Sequence, residues 1–452
     1  MAIDKYLVLN KYMLSLFGVS DFKELQYSVK NALLGIDPNT GKTYFFESLI
    51  SNLEGIKLSY ANLERYDENI QYYVNCINAK REPKNNLKYF QYLAILFSEI
   101  YFDRLKNDKN LLLVELNSFL EHYKVENSID LISDFTEDDL NKIAFLMATG
   151  SGKTLISHIN YYQFFKYELF EPDNIIFITP NEGLSKQHYD EMEKSGIPAK
   201  LYSGSLSTST YKEREVLILE ITKLVEEKKG GGVTVPVYAF EGKNLVFVDE
   251  GHKGKTSEEQ KWAKLRRAIS KNGFVFEYSA TFGQILSEKN ADTLQEYGKS
   301  IIMDYSYKYF YLDGYGKDFT VFNVKDANKI TEQEFKETVF VANLLSYYEQ
   351  LIAYKENKNI VSEYKIEKPL WIFVGSTVVR VNSKEGEEMM SDILDITLFL
   401  RKILEERGWL REKIQNILKG KTAFKDEEGN DSFTQKFSYL RDRQIEINDL
   451  YE

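Results

Sequence analysis

The chain has 452 residues, of which 43% are hydrophobic and 14% aromatic, so its composition excludes both a disordered chain and a single small module. Its 58 Lys and Arg against 69 Asp and Glu give a formal net charge of −11, which lends no support to nucleic-acid binding, although basic residues can still gather on one face. The single cysteine, Cys76, excludes an internal disulfide, and four scattered histidines give no pattern for a metal cage. Without a signal peptide or a run of about 18 apolar residues, the sequence predicts a cytoplasmic protein with no membrane span.

The first part of the chain is predicted to be helical. Apolar residues recur at spacings of three and four along residues 6–16 and again along residues 90–101. Turn sequences containing Gly35, Pro38 and Pro83 separate these segments. We therefore predict a helical N-terminal region over residues 1–110.

From about Thr136 the pattern changes to short β-rich runs that alternate with helical segments, which is typical of a parallel sheet with crossover helices. Such runs are short and nearly uniformly apolar, as expected of strands covered on both faces, and they lie at 143–146, 175–178, 245–248 and 274–278. A further run at 370–374, with a helix around 392–406, resembles the opening of a second α/β unit. The prediction is an α/β fold whose parallel sheet and flanking helices occupy residues 111–325, followed by the start of a second α/β domain over 326–452.

Residues 148–154, with the sequence ATGSGKT, predict a phosphate-binding loop between a strand and a helix. Glycines let the backbone wrap around phosphate oxygens, and the helix N-terminus directs amide groups at them. Lys153 is placed to reach the β- and γ-phosphates and the Thr154 hydroxyl to bind Mg²⁺, although Met147 stands where the strict pattern has its first glycine. A glycine-rich helix-capping turn is the alternative. The predicted ATP-binding residues of the loop are Gly150, Ser151, Gly152, Lys153 and Thr154.

Two further segments follow at the ends of predicted strands. Asp249 and Glu250 end the run at 245–248, where Asp249 can hold Mg²⁺ and Glu250 can orient or deprotonate the attacking water. An isolated acidic pair is more typical of a solvated strand end, but here the phosphate-binding loop accompanies it. Ser279 and Thr281 end the next strand, where their hydroxyls can hydrogen-bond the acidic pair and couple nucleotide state to the rest of the protein.

In this order the three segments resemble motifs I, II and III of superfamily 2 helicases and translocases of the DEAD/DEAH type. The run Asp-Glu-Gly-His at 249–252 stands where that superfamily has Asp-Glu-x-His or Asp-Glu-x-Asp. The resemblance is closest to the helicase (Res) subunit of type III restriction enzymes and related phage-defence translocases. It is carried by residues 145–154, 249–254 and 310–319 and covers about residues 85–400.

The resemblance implies roles for further residues. The segment 178–187 resembles motif Ia, whose loop contacts the nucleic-acid backbone in the family, so Thr179 and Gln187 are predicted nucleic-acid contacts. Gln91 is predicted to bind adenine with a neighbouring ring stacked on the base, and an ordinary core-facing helix is the alternative. His252 is predicted to act with Lys153 and Glu250 in catalysis, by coupling motif II to motif III. The other three histidines are predicted to be surface or helix-packing residues.

The family resemblance further implies a helicase or translocase of restriction or phage-defence type that depends on ATP and Mg²⁺. Its implied substrate is DNA more than RNA, and its implied partner is a modification or nuclease subunit. Residues 111–325 would be its first RecA-like ATPase domain and 326–452 a partial second one. No segment after Val374 resembles the arginine motif of the second domain, so the chain looks truncated and weak hydrolysis is expected. The family's carboxylate nuclease site also has no counterpart, so no DNA cleavage is expected.

Two other functions remain open. An ATP-binding regulatory or scaffold subunit with little turnover would have no need of the Glu250 carboxylate. A P-loop kinase of small molecules would give no reason for the Ser-Ala-Thr run at 279–281.

Overall fold

The computed structural model describes residues 3–204, 213–226, 233–250, 257–286, 290–316, 331–363, 366–373, 381–382, 388–389, 392–425, 429–434 and 436–442. The chain divides into two compact units, Met1–Lys317 and Asp318–Glu452. The predicted catalytic residue His252 lies outside the described residues, as do residues 317–319 of the third resembling segment.

The predicted helical N-terminal region is confirmed, and its helices continue past residue 110. Side-chain caps begin several of these helices: Thr43 accepts a hydrogen bond from the Phe46 amide at 3.1 Å, and Asp108 accepts one from the Leu111 amide at 2.9 Å. The helices are α1 (Val8–Leu16), α2 (Phe22–Val29), α3 (Tyr44–Asn52), α4 (Tyr60–Asn78), α5 (Tyr89–Asn107) and α6 (Lys109–Asn127).

The next segment alternates strands and helices, as predicted. The four predicted strands, at 143–146, 175–178, 245–248 and 274–278, are confirmed. The strands are β1 (Lys142–Met147), β2 (Asn174–Thr179), β3 (Ala199–Leu201), β4 (Val216–Glu220), β5 (Leu224–Val225), β6 (Val235–Pro236), β7 (Asn244–Asp249), β8 (Phe274–Ser279) and β9 (Ile301–Tyr305). The helices are α7 (Lys153–Tyr167), α8 (Glu182–Lys194), α9 (Ser257–Ser270), α10 (Phe282–Ile285), α11 (Ala291–Ser300) and α12 (Tyr307–Leu312).

Within the described residues, seven parallel strands form one sheet in the order β3-β4-β2-β7-β8-β1-β9, and β5 pairs with β6 separately. Phe145 of β1 and Asp249 of β7 both pair with Tyr278 of β8, so the ends of these three strands lie side by side. The segments that follow β1, β7 and β8 therefore meet at one edge of the sheet, where ligands bind in open α/β sheets. This arrangement confirms the predicted α/β, RecA-like P-loop fold.

One hydrophobic core joins the N-terminal helices to the sheet. Helix α5 is buried continuously from Tyr89 to Asp103 and packs against α4, α6, α7 and β9. The side-chain amide of Asn10 in α1 donates to the Ile302 carbonyl of β9 at 2.9 Å. The N-terminal helices thus cover one side of the sheet and bring their own residues close to the loop after β1.

The second unit is described separately. Its elements are α13 (Glu332–Glu356), α14 (Lys358–Glu363), β10 (Val381–Asn382), β11 (Glu388–Met389), α15 (Asp392–Glu405), α16 (Arg407–Leu418) and α17 (Ser438–Asp442). Strands β10 and β11 pair antiparallel, and α15 confirms the helix predicted around 392–406. Val341, Leu345 and Ile414 lie in the core of this unit.

The strand predicted at 370–374 is wrong for its described part. Residues 366–373 lie outside helices and strands, and Leu370 and Ile372 are 78% and 68% exposed. An apolar run forms a stable strand only when a neighbour takes up its backbone hydrogen bonds, and no described strand pairs with these residues. The second RecA-like domain therefore stays a prediction.

None of the helices in the described ranges combines the length and apolar character needed to cross a bilayer.

Candidate nucleotide-binding site

The loop between β1 and α7 has a backbone that requires glycine at two positions. Gly150 and Gly152 have φ values of +85° and +91°, in the left-handed region that side chains other than glycine rarely adopt. A Cβ at Gly152 would also overlap the side-chain amide of Gln91. Ser151 closes the turn, since its amide and hydroxyl both donate to the Ala148 carbonyl, at 3.1 and 2.7 Å. The conformation of the loop therefore depends on glycine at positions 150 and 152.

Lys153 opens α7 and points back across the loop. Its Nζ donates to the Met147 carbonyl at 3.3 Å and lies 4.0 Å from Oε1 of Glu250. Burial lowers the pKa of Lys153, although the nearby carboxylates of Glu250 and Asp249 act in the opposite direction. The structure thus brings the partly buried Lys153 side chain of the loop close to the acidic pair after β7, as the sequence predicted.

The acidic pair is fixed from two sides. Glu250 has φ of +56°, an uncommon value for a residue with a side chain, and its amide donates to Oδ1 of Asp249 at 3.1 Å. On the other side, Nε2 of His188 donates to Oδ2 of Asp249 at 3.0 Å. The His188 ring is buried and packs against Phe177, with ring centroids 4.4 Å apart.

His188 was predicted only as a surface or packing residue, so its contact with Asp249 was missed. The helical spacing offered a clue, because Ser185, His188 and Met192 form the buried face of α8. Helix α8 packs against β2, β3 and β4, and the end of β2 lies beside the end of β7, where Ile178 pairs with Val248. A histidine on the buried face of α8 therefore lies at the same edge as the acidic pair.

Gln91 reaches the loop from the first turn of α5. Its Nε2 donates to the Ser151 carbonyl at 2.9 Å, and its Oε1 accepts from the Lys88 amide at 2.8 Å. Beside it lies a polar cavity of about 310 Å³ that borders the loop. The cavity is lined by Arg81, Asn85, Asn86, Lys88, Gln91, Gly152, Thr154, Leu155 and Glu191.

The predicted stacking ring beside Gln91 is not supported. Phe90 is buried and stacks on Tyr305 with ring centroids 4.0 Å apart, while the Tyr89 hydroxyl donates to Asp313. Both rings are used in packing, and neither is among the residues that line the cavity.

Arg81 and Glu191 were also missed by the sequence analysis. Nη1 of Arg81 lies 2.7 Å from Oε2 of Glu191, and Nη2 donates to the Ser195 hydroxyl at 2.8 Å. Arg81 belongs to a turn that marks only a break between helices in the sequence. No local pattern indicates that α8, more than a hundred residues later, supplies its partner.

Ser279 and Thr281 lie at the end of β8, between the loop and the acidic pair. Ser279 is fully buried, and its hydroxyl accepts from the Thr281 amide at 3.1 Å. The Thr281 hydroxyl is buried without a hydrogen-bond partner among the described residues. The predicted coupling to the acidic pair therefore stays a prediction.

The two predicted nucleic-acid contacts differ in exposure. Thr179 is fully buried, and its hydroxyl is 2.6 Å from that of Ser185, so its side chain is available to position α8 and not to contact a ligand. Direct contact through Thr179 is thus not supported. Gln187 is exposed on α8 and remains a predicted contact.

Residues 116–284 match the family model described as type III restriction enzyme, res subunit. No curated protein matches the chain. Among solved structures, the SWI2/SNF2 ATPase core of Sulfolobus solfataricus in complex with dsDNA is 12% identical with a TM-score of 0.26, a likeness too weak to bear on the fold. The similarity covers 50% of this chain and 52% of that one, so the chain spans about half of that structure.

The matched segment contains the phosphate-binding loop, the acidic pair and the end of β8. The predicted resemblance to the Res subunit of type III restriction enzymes is thus confirmed for residues 116–284, and the ATPase- and helicase-type hydrolase class predicted from that resemblance is supported over the same residues.

Proposed function

We propose that the chain binds Mg²⁺-ATP at the edge formed by β1 and β7 and hydrolyses it to move along DNA. The observation that carries this proposal is the approach of Lys153 Nζ to Glu250 Oε1, at 4.0 Å, from two segments that are 97 residues apart in sequence (250 − 153). Phosphoryl transfer to water needs a cation at the phosphate and a carboxylate beside it. Both are present at the same edge of the sheet.

The oxygen donors at this edge suit a magnesium nucleotide. Mg²⁺ usually keeps several waters and takes only one or two protein oxygens beside the phosphates, so it does not require a protein-built cluster of ligands. Within the described ranges there is no group of three or more His, Cys, Asp or Glu that could hold a metal alone. Thr154 and Asp249 would hold the ion, which when bound neutralises charge on the phosphate oxygens.

Glu250 is the residue that we assign to the attacking water. Its carboxylate lies beside the phosphate-binding lysine, and its side chain is one-quarter exposed, so water can reach it. Its backbone is fixed by the hydrogen bond to Asp249, which limits the movement of the carboxylate. The chain's own contribution is therefore to bind the phosphates through Lys153 and to orient a water through Glu250.

The cavity beside Gln91 is proposed to hold the nucleoside half of ATP. A glutamine amide has two N–H donors and two acceptor lone pairs, and the contacts to Ser151 and Lys88 use one of each. One donor and one lone pair remain for the amino group and ring nitrogen of adenine. Because Gly152 and Thr154 also line this cavity, a base there would adjoin the phosphates on the loop.

The match to a restriction-enzyme subunit supports DNA over RNA as the track, and a modification or nuclease subunit as the partner. Exposed Gln187 on α8 is the proposed contact with the nucleic-acid backbone. ATP hydrolysis needs charge stabilisation from both sides of the phosphate. We therefore expect slow turnover wherever the arginines of a second RecA-like domain are missing.

The test is ATP hydrolysis measured with no nucleic acid, single-stranded DNA, duplex DNA and RNA. We expect stimulation by DNA that disappears in Lys153→Ala and persists in Lys166→Ala, a matched change at an exposed lysine of the same helix. Stimulation by RNA alone would overturn the choice of track. Nucleotide binding without turnover would contradict the motor and favour an ATP-binding regulatory or scaffold subunit.

A further inference from the structure

Helix α8 places a histidine against the carboxylate that is proposed to bind the metal. Nε2 of His188 is 3.0 Å from Oδ2 of Asp249, and His188 is only 4% exposed. Because a carboxylate can only accept, the hydrogen in this bond belongs to Nε2. Asp249 therefore receives one donor from α8 and a second from the backbone of Glu250.

We propose that His188 is a positioning residue that orients Asp249 as a ligand for the divalent cation of the bound nucleotide. This inference rests on the proposed function and names a residue that acts through another. Two donors on different oxygens fix the plane of the carboxylate and leave each oxygen a lone pair. Hydrogen bonds to ligating carboxylates are known to set metal affinity in this way.

His158 shows what a packing histidine looks like in the same region. It is fully buried on α7, and its Nδ1 lies 2.7 Å from the Ser195 hydroxyl. Burial, helped by the nearby His188 and Arg81, lowers the pKa of His158 to about 3. No contact between His158 and the acidic pair occurs in the described part of the chain. Both rings are buried, but only His188 forms a hydrogen bond with a proposed metal ligand.

The position of His188 also makes the cation site depend on α8. The residue before it, Gln187, is exposed, and Glu191 one turn later lines the cavity proposed for the nucleoside. The start of the helix is fixed by Asn181, which accepts from the Leu184 amide at 3.0 Å. A single helix thus presents residues to the surface, to Asp249 and to the cavity.

The experiment compares wild type with His188→Leu, which removes the donor, and His188→Gln, which keeps an N–H at a similar reach. Binding of a non-hydrolysable ATP analogue is measured by equilibrium dialysis in EDTA and at rising Mg²⁺. We expect His188→Leu to raise the Mg²⁺ concentration at half-saturation by roughly 10- to 100-fold, with binding in EDTA unchanged. His188→Gln should lie close to wild type.

His158→Leu serves as the matched control, because it removes an equally buried ring without touching Asp249. It should lower the melting temperature and leave the Mg²⁺ dependence unchanged. The inference is wrong if His188→Leu needs no more Mg²⁺ than wild type, or if both His188 variants lose binding equally in EDTA. Absence of any Mg²⁺-dependent binding in wild type would instead contradict the proposed function, and the two failures are therefore distinguishable.

Discussion

On the loop side of the candidate nucleotide site, Gly150 and Gly152 have φ values of +85° and +91°, whereas the opposite side is held by an ion pair between Arg81 and Glu191, 110 residues apart. The loop side depends on backbone conformation, which only glycine adopts without strain. The cavity side depends on side chains from α5, α8 and the turn before α5. Substitutions on the loop side should therefore abolish nucleotide binding. Substitutions on the cavity side should only partly reduce nucleotide affinity and stability.

The largest effect is expected from Gly152→Ala. The new Cβ would meet the Gln91 amide, and an L-residue at this φ costs about 1–3 kcal/mol in backbone strain alone. We expect loss of nucleotide binding and a lower melting temperature, measured by dialysis and thermal denaturation. Gly408→Ala is the control, because a Cβ there meets nothing within 4 Å and its φ is not positive.

A double substitution separates the two causes of this effect. In Gly152→Ala with Gln91→Ala the overlap is removed while the backbone strain remains. The double variant should therefore be more stable than the sum of the single changes predicts. Strict additivity would show that Gln91 does not restrict the loop and would weaken the contrast between the two sides.

An intermediate effect is expected behind the cavity side, where α5 meets α7 at a buried carboxyl. Glu99 accepts hydrogen bonds from Asn69, Gln163 and Tyr167 at 2.6, 2.7 and 2.9 Å. Burial raises its pKa to about 7, and the hydrogen bonds from Gln163, Asn69, Tyr167 and Tyr73 only partly offset this. The folded protein therefore holds a proton on Glu99 that the unfolded chain has already released near pH 4.5.

The sign of the pH dependence follows from that difference. Because the folded state binds more protons between about pH 4.5 and 7, the free energy of unfolding should fall as pH rises through this range and then level off. In Glu99→Gln the free energy of unfolding should change less with pH. The difference in free energy of unfolding between wild type and Glu99→Gln should therefore shrink by at most about 3 kcal/mol between pH 5 and 8. The free energy of unfolding of both proteins is measured by urea denaturation at several pH values. Parallel profiles would mean that Glu99 stays ionised in the fold.

The parts of the site that the sequence predicted are those whose geometry is local. The Gly-Ser-Gly run at 150–152 and the apolar strand before it follow from residue type, because positive φ needs glycine and strands covered on both faces are uniformly apolar. Asp249 and Glu250 could be placed because they end such a strand. The parallel order of the sheet then brings these segments together.

The parts that the sequence did not predict depend on packing between distant segments. His188 meets Asp249 across 61 residues, and its role is visible only once α8 lies on the sheet. The strand expected at 370–374 fails for a related reason, since an apolar run does not specify which neighbour will pair with it. Thr179 was predicted from family resemblance as a nucleic-acid contact, but it is buried against the start of α8.

The smallest effect is expected from Arg81→Ala, which breaks the ion pair of the cavity side. Arg81 is 11% exposed and Glu191 27%, so the pair is partly screened by water. Burial acts to raise the pKa of Glu191, but Lys194 and Arg81 outweigh it and hold the pKa below its usual range. The pair therefore contributes stability above the ordinary pKa of glutamate, and this contribution is lost as pH falls through the lowered value.

For Arg81→Ala we expect about 1–2 kcal/mol of lost stability at pH 7 and a weaker affinity for ATP, with a smaller loss of stability once the pH falls below the lowered pKa of Glu191. Arg81→Lys should recover little, because an ammonium group cannot bond Glu191 and Ser195 at once with the same fork. Lys84→Ala, a change at an exposed cation in the same turn, is the control. If Arg81→Ala abolished binding as fully as Gly152→Ala, the cavity side would be as strict as the loop side, and the distinction between backbone and side-chain control would fail.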